Sequence, residues 1–379
     1  MSRSIFPEAK LDSGVEVSPN EFGTDCGKVG PRAAKKLDGR RGIDFYTDFP
    51  FGDLEVQRDF SSRAEAAGYS GVFATENRHD PFLPVAVSAR KDLTMKLGTA
   101  FIALLARNPV TVAQAAWDLH YNTGENFILG VGTHLDSHLG GRYGVVSEKK
   151  HERVAEAVSA VREVWSCWIE EREPNFRGQY YSIRTCPNGY RPTTCLRSIP
   201  KIYVMCSTEM DLEIAATVSD GIFTHPMWTS QYIDSFVWPY VQERRPDSKV
   251  FPIVSGAIIV TGNDGLEIER SRAEAKRRLF GYFRSHDYDF VFRQLGVMDE
   301  VAVFREASAT VKDDPWDSKS SRDLYCKFVS DSAFDKLGSA LRNHTGEHIT
   351  GLFPNIMSAI PRLLPSAIVT AIVGEGRPT

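Results

Sequence analysis

The sequence predicts an α/β protein built as one large (β/α)8 barrel, a TIM barrel with insertions, and three observations carry that expectation. Short apolar runs closed by small or polar residues alternate with longer segments of helical period from Arg41 to His134. The same rhythm continues to the far end of the chain and supplies eight strand candidates in 379 residues, which suits a single barrel better than two domains. The first strand is not followed by the G-x-G-x-x-G turn that a doubly wound sheet of the dinucleotide-binding kind carries.

Taken in order, Gly42 to Asp48, Gly71 to Glu76, Lys96 to Leu105 and Asn126 to Gly132 read as the first four strands. Asp53 to Ala67, Leu83 to Lys91 and Val110 to Thr123 between them read as helices. The stretch from Glu148 to Trp168 carries Val154, Val158, Val161, Trp165 and Trp168 on one stripe, a helix face that packs on a barrel rather than a ligand site. Lys201 to Cys206, Gly221 to His225, Phe251 to Thr261 and Ile349 to Phe353 complete the eight strands. Strand and helix alternating at this spacing make right-handed βαβ units, hence a parallel sheet whose ligand lies beyond the strands' carboxyl ends.

Residues 1–41 differ in kind. They are polar, rich in Gly and Pro, and bring Arg32, Lys35, Lys36, Arg40 and Arg41 close together without a following apolar segment. The expectation is a flexible N-terminal extension rather than a secretory or twin-arginine signal. Residues 42–379 form the expected barrel domain, interrupted by an insertion near 284–321 that mixes acidic, aromatic and basic residues without clear period. Such an insertion at a barrel mouth is expected to act as a lid.

Composition excludes several classes of function. With 42% hydrophobic and 25% charged residues and a formal net charge of -4, the chain has no electrostatic footprint for nucleic acid. It has no apolar run of about 18 residues to span a bilayer. A cytoplasmic enzyme acting on a small molecule or a modified peptide, as a possible homodimer, is the expectation. Six cysteines, Cys26, Cys167, Cys186, Cys195, Cys206 and Cys326, are scattered without C-x-x-C pairing, as in a reduced compartment. Cys206 ends a strand, yet a small buried hydrophobe explains it better than a nucleophile.

Chemistry is expected at four strand ends. After strand two, Thr75-Glu76-Asn77-Arg78-His79-Asp80-Pro81 is a dense polar cluster, with Asp80 the N-cap of the next helix and His79 able to exchange a proton near neutrality. After strand four, Gly130-Val131-Gly132-Thr133-His134 runs on through Asp136 and His138 to Gly140-Gly141-Arg142-Tyr143-Gly144; its two leading glycines allow a flat ring to approach the backbone. His134 and His138 lack a third clear ligand, so no metal is expected there, and a general acid is the sharper reading. After strand five, Ser207-Thr208-Glu209-Met210-Asp211 opens a helix that either holds a phosphate at its N-terminus or closes a capping box from Thr208 to Asp211. After strand six, His225 is either a buried, satisfied ring or a substrate contact, and Trp228 a wall for an apolar substrate.

The segments Ala74-Thr75-Glu76, His79-Asp80-Pro81-Phe82-Leu83-Pro84, Leu97-Gly98-Thr99-Ala100 and Arg107-Asn108-Pro109 occur in fixed order with Ala113-Gln114 and Trp117-Asp118-Leu119. They continue with Phe127 to Thr133, Phe176-Arg177-Gly178-Gln179-Tyr180-Tyr181 and Asp220 to Pro226. The series, from about Gly42 to Tyr240, resembles the luciferase-like monooxygenase superfamily, and within it the oxidoreductases that use the deazaflavin coenzyme F420. The resemblance implies a reduced deazaflavin, or FMN as the alternative, lying across the strand ends. It implies a bulge with a non-prolyl cis peptide at Ala100-Phe101 beneath the ring, cofactor contacts from Asn77, Gly132 and Thr133, and phosphate contacts from Ser207 and Thr208.

Two positions depart from the family pattern. Some deazaflavin enzymes carry Asp-His after strand two and a glutamate after the strand-four Gly-x-Gly-Thr, where this chain has Glu76-Asn77 and His134-Leu135. The proton donors then fall to His79 and His134 by elimination, with Glu76 beside them and His138, His225 and Trp228 facing substrate. The reaction expected is hydride transfer from reduced deazaflavin to an activated C=C, C=N or C=O bond. The alternatives are an FMN-dependent monooxygenase and a cofactor-binding protein without turnover.

Overall fold

The computed structural model describes residues 43–373 apart from 51, 247–249, 310–314, 317, 334–335 and 357–362. The expected extension at 1–41 lies outside the described residues. Eight parallel strands close on themselves: β1 (Asp44–Asp48), β2 (Gly71–Ala74), β3 (Lys96–Thr99), β4 (Phe127–Gly132), β5 (Lys201–Cys206), β6 (Gly221–Thr224), β7 (Ile253–Val260) and β8 (Gly351–Ile356). Each pairs with the next, Tyr46 facing Gly71, Val72 facing Leu97 and Tyr203 facing Gly221, and β8 returns to β1 with Gly351 beside Asp44. Beyond its last pairing with β6, Ser255 against Thr224, β7 continues to Val260, where a short strand Val329–Asp331 adds to it.

Alternation along the strands divides the apolar residues into two layers. Tyr46, Phe73, Ile128, Tyr203, Phe223 and Val254, one from each of six strands, fill the barrel interior as one cluster. Phe73 anchors it, edge-on to Tyr46 and Phe223 at 5.1 Å each. Phe45, Val72, Leu97, Leu129, Ile202 and Ile222 point outward into the larger cluster beneath the helices. At the amino-terminal end of the strands, Lys96 Nζ lies 2.9 Å from Asp44 Oδ2 and the Tyr46 hydroxyl donates to the same oxygen at 2.8 Å. This polar floor closes the barrel below and leaves the carboxyl ends as the place for a ligand.

The helices are α1 (Leu54–Arg58), α2 (Phe60–Ala66), α3 (Phe82–Ser88), α4 (Pro109–Asn122), α5 (Asp136–Tyr143), α6 (Lys150–Ile169) and α7 (Glu209–Val218). A helical run from Ser230 through one π turn at Ile233–Val237 leads into α8 (Trp238–Arg244), followed by α9 (Gly265–Arg284), α10 (Asp289–Gln294), α11 (Met298–Ala309), α12 (Lys319–Phe328), α13 (Leu337–His344) and α14 (Ser366–Val373). The single helix expected over 53–67 is two, broken at Asp59. The long third strand expected over 96–105 ends at Thr99; after the next two residues come a two-residue strand, Ile102–Ala103, and a 3-10 turn. The insertion near 284–321 is not irregular: its described residues are largely helical, because Val291, Phe292, Val301 and Phe304 turn inward and are buried. Periodicity missed this, since two short helices give too few turns for a stripe.

The Phe176 to Tyr181 motif has a structural account. Phe176–Arg177 and Ser182–Ile183 form a hairpin whose turn amides, at Gln179, Tyr180 and Tyr181, donate to the Glu156 carboxylate of α6 at 2.8, 2.7 and 2.7 Å. A side chain at Gly178 would displace that carboxylate.

Candidate active site

At the ends of β2 and β3 the chain builds an ion-pair cluster. Glu76, 7% exposed, accepts two hydrogen bonds from Arg107 Nη1, at 2.9 and 3.0 Å, and a third from the Ala103 amide. The other nitrogen of Arg107 reaches Asp80 Oδ2 at 2.9 Å. Both Glu76 oxygens are therefore engaged by Arg107, and one also holds the Ala103 amide of the bulge after β3. The N-cap position of α3 is Pro81, not Asp80; Asp80 instead accepts from the Phe82 amide at 3.0 Å while its second oxygen takes Arg107. His79 is also committed, its Nε2 lying 2.8 Å from the Gly52 carbonyl. Asn77 is exposed; its side chain donates to Thr75 Oγ1 at 2.8 Å and its carbonyl accepts from Arg142 at 2.7 Å.

The Ala100–Phe101 peptide bond is cis, where the resemblance puts it. Glycine at 130 and 132 serves close approach, but not in the way the sequence suggested: a Cβ at Gly130 would overlap the Thr99 carbonyl, and one at Gly132 would overlap the ring of Phe101. The flat ring resting on this backbone is the chain's own phenylalanine. Beside it, 4.7 Å between centroids, stands His134, whose backbone takes the left-handed conformation at φ 59° and whose carbonyl accepts from Lys150 at 3.0 Å. Non-glycine residues held there cluster at functional sites. Burial holds the His134 imidazole below its ordinary pKa, against the opposing pull of Glu76. Its Nε2 is buried without a partner, while the Tyr143 hydroxyl lies against the Glu76 carboxylate. His138 is exposed, its ring 5.9 Å from that of His134.

Between β4 and β5 the centre is Asp211. It is 2% exposed and accepts from Thr133 Oγ1 at 2.8 Å, from the Ser207 and Thr208 amides at 3.0 Å each and from Thr208 Oγ1 at 2.9 Å. The Thr208 hydroxyl in turn accepts from the Asp211 amide at 3.2 Å, which completes a capping box. His151 of α6 lies 3.4 Å away. Burial alone would raise the Asp211 carboxyl; pairing with His151, the Ser207 amide and Thr133 outweighs it and holds the group below the usual range. The phosphate reading of Ser207 and Thr208 is corrected accordingly, since both amides and the Thr208 hydroxyl are already used. The amides of Glu209 and Met210, next in the first turn of α7, have no intrahelical partner and are the donors that remain.

On the β6 side, His225 Nδ1 accepts from the Met227 amide at 3.3 Å, and the rings of Tyr282 and Tyr288 close over it at 4.9 Å each. Burial pushes His225 down to about 4, so the ring is neutral. Trp228 is 1% exposed and packs on Tyr232 and Phe290, which corrects the expectation that it walls a substrate pocket. Cys206 is buried and its thiol is pushed well up, as for a small hydrophobe.

The sequence reading missed Asp48. It ends β1 beside Phe73, in step with Tyr46, whose ring lies inside the barrel. Burial raises its carboxyl to about 6, against the pull of Arg278 from α9. Its place two residues after an inward Tyr46 at a strand's carboxyl end was the available signal. Arg107, Tyr143 and His151 were also missed as site residues; their partners are distant in sequence, and no spacing announces them.

Comparison with known proteins agrees with this architecture. The luciferase-like monooxygenase family profile matches residues 40–319. The uncharacterized protein Rv1360 of Mycobacterium tuberculosis is 25% identical over 317 residues, covering 82% of this chain and 92% of that one. Rv3520c of the same organism, which carries the name of a coenzyme F420-dependent oxidoreductase, is 29% identical over 270 residues, covering 64% and 75%. The coenzyme F420-dependent tetrahydromethanopterin reductase of Methanopyrus kandleri superposes with a TM-score of 0.62 at 14% identity, covering 89% of this chain and 98% of that one. The oxygenating constituent of 3,6-diketocamphane monooxygenase from Pseudomonas putida, in complex with FMN, gives 0.59 at 14% identity over 88% and 98%. These last two likenesses speak for the fold alone. With its closed parallel barrel and the profile matching well over half its length, the chain belongs to the luciferase-like monooxygenase family.

Proposed function

We propose that this chain is an F420-dependent oxidoreductase that passes a hydride from the reduced deazaflavin to an activated C=C, C=N or C=O bond of a small molecule. The observation that carries the reading is a protonatable carboxyl inside the barrel mouth: Asp48, raised by burial to about 6, keeps a proton close to neutrality. An acceptor of hydride needs a proton at the adjoining atom, and a group titrating near working pH supplies it best. The choice of F420 is supported by the name borne by Rv3520c and by the sequence resemblance.

The residues present fit such a cofactor. The mouth beside Ala100–Phe101 holds the buried, partnerless Nε2 of His134, and the first turn of α7, on the β5 side, presents amides without an intrahelical partner. When bound, the deazaflavin supplies the hydride. The chain's own contribution is to hold Glu76 against Arg107, to keep His134 and His225 neutral, to present the Asp48 proton, and to close one side of the mouth with Tyr282 and Tyr288.

The test is titration of the purified protein with oxidised F420 and separately with FMN, followed by oxygen uptake after reduction. F420 binding without oxygen consumption supports the proposal, and Asp48→Asn should then lower kcat about 100-fold with F420 affinity retained. FMN binding with oxygen uptake moves the chain to the monooxygenases, the reading the family description favours. Binding of neither makes it a protein without this turnover.

A further inference from the structure

Cys167 lies on α6 and Cys186 on the loop after the Phe176–Ile183 hairpin, and no motif joins them, yet the fold brings their sulfurs together. Cys186 Sγ accepts from the indole N–H of Trp168, the residue after Cys167, at 3.2 Å. The Cys167 thiol is hydrogen-bonded to Cys186. Both are free thiols, and both line one cavity of about 340 Å³ walled also by Val164, Ile183 and Tyr190. The loop that carries Cys186 is tied to its surroundings further on, where Trp117 Nε1 donates to Thr194 Oγ1 and Arg197 Nε to Glu125 Oε1, at 3.0 Å each. Among the described residues no third His, Cys, Asp or Glu joins the pair, so it offers two ligands where a structural zinc takes four.

The two thiols differ in access. Cys167 is fully buried with its sulfur 3.1 Å from the Val164 carbonyl, and burial, aided by the neighbouring Cys186, pushes its thiol up to about 12. Cys186 is 8% exposed and stands between Thr185 and Pro187, both exposed, on the cavity wall. A reagent from solvent therefore meets Cys186 first.

We propose that Cys186 and Cys167 are a modification site, a redox pair that a small organic disulfide converts into an intramolecular disulfide between α6 and this loop. The Cys186 sulfur gives up its proton and attacks one sulfur of the reagent. The reagent's S–S bond breaks, one half stays on Cys186 as a mixed disulfide, and the other departs as a thiol with that proton. Cys167 then attacks the Cys186 sulfur, the protein disulfide forms, and the second half leaves as a thiol with the Cys167 proton. Two protein thiols lose two electrons, and one small disulfide gains them to become two thiols. The proposal stands independently of the cofactor reading.

The test treats the native full-length protein with 2-hydroxyethyl disulfide, blocks the remaining thiols with iodoacetamide in denaturant, and maps the products by mass spectrometry. Chymotrypsin, cutting after Tyr190, separates Cys186 from Cys195. The expected wild-type product is a peptide pair linked from Cys167 to Cys186 and released by dithiothreitol. Cys167→Ala is expected to stop at the mixed disulfide on Cys186, and Cys186→Ala to lose modification of Cys167 altogether. The wild-type map needs neither variant to fold. A wild type in which Cys186 stays unmodified, or stays as the mixed disulfide with no link to Cys167, overturns the proposal. Modification of Cys167 in Cys186→Ala at the wild-type rate overturns it as well, by making Cys167 the point of entry.

Discussion

Replacing Asp48 by asparagine should make the protein more stable and less active, and the pH dependence of the gain is specified by the structure. The carboxyl titrates at about 6 in the folded chain against 3.8 for the unperturbed group. Two units at about 1.4 kcal/mol each put the cost of ionising it in place near 3 kcal/mol. The sign follows from proton counts: between these two values the folded state holds the proton and the unfolded state releases it, so stability falls as pH rises through the window. Below about pH 4 the wild type and Asp48→Asn should match, because both carry a neutral side chain of the same shape. Above about pH 6 the variant should be ahead by the full amount, about 3 kcal/mol. Urea unfolding followed by tryptophan fluorescence at half-unit steps from pH 4 to 8 reads the difference directly. A difference that does not change with pH, or one favouring the wild type at pH 8, refutes the claim that Asp48 is a half-buried acid held ready for proton transfer. A destabilising carboxyl at a barrel mouth fits a residue kept for chemistry rather than for the fold.

Asp211→Ala should cost about 3–5 kcal/mol at pH 7, measured by urea midpoint, because it strands the Thr133 hydroxyl and the Ser207 and Thr208 amides. Since the folded carboxyl lies below its unfolded value, that contribution is present above about pH 4 and fades as pH falls further. His225 should show no titration of its Cε1 proton resonance between pH 8 and about 5, and its burial should remove stability as pH falls from about 6.5 to 4, where the unfolded ring alone takes a proton. Glu156→Ala should lower stability by about 1–2 kcal/mol and speed hydrogen exchange at Gln179, Tyr180 and Tyr181, whose amides lose their common acceptor; unchanged exchange there would remove the structural account of that motif.

How far the site was legible depends on the range of the interactions involved. The strand ends were found correctly because a βα unit is local, and Thr75–Pro81, Gly130–His134 and Ser207–Asp211 all lie on the mouth. The capping box from Thr208 to Asp211 was legible as one of two possibilities, for its partners are three residues apart; what spacing left open was whether the helix start was spent on itself. Glu76 looked like a reactive carboxylate until Arg107, which reads as a helix flank, closed on it. Trp228 looked like a pocket wall until Tyr232 and Phe290 covered it. Helix 53–67 and the 284–321 insertion were misread for opposite reasons, the first because its buried positions Gln57, Phe60, Ser61 and Ala64 keep helical spacing across the break at Asp59, the second because its helices are too short to show a phase at all.

By itself the sequence determined the eight-strand order, the end of the barrel on which its candidate residues lie, and the family, since all three follow from patterns of period two and 3.6 and from short motifs read within one βα unit. Only the tertiary structure decided which polar groups are spent and which are free. Thr133 finds Asp211 across 78 positions, Arg107 reaches Glu76 across 31, and Asp48 gains its raised carboxyl from burial at the barrel mouth. A side chain's protonation and availability are set by what desolvates and contacts it through space, and chain closure into a barrel is the step that brings those distant groups together.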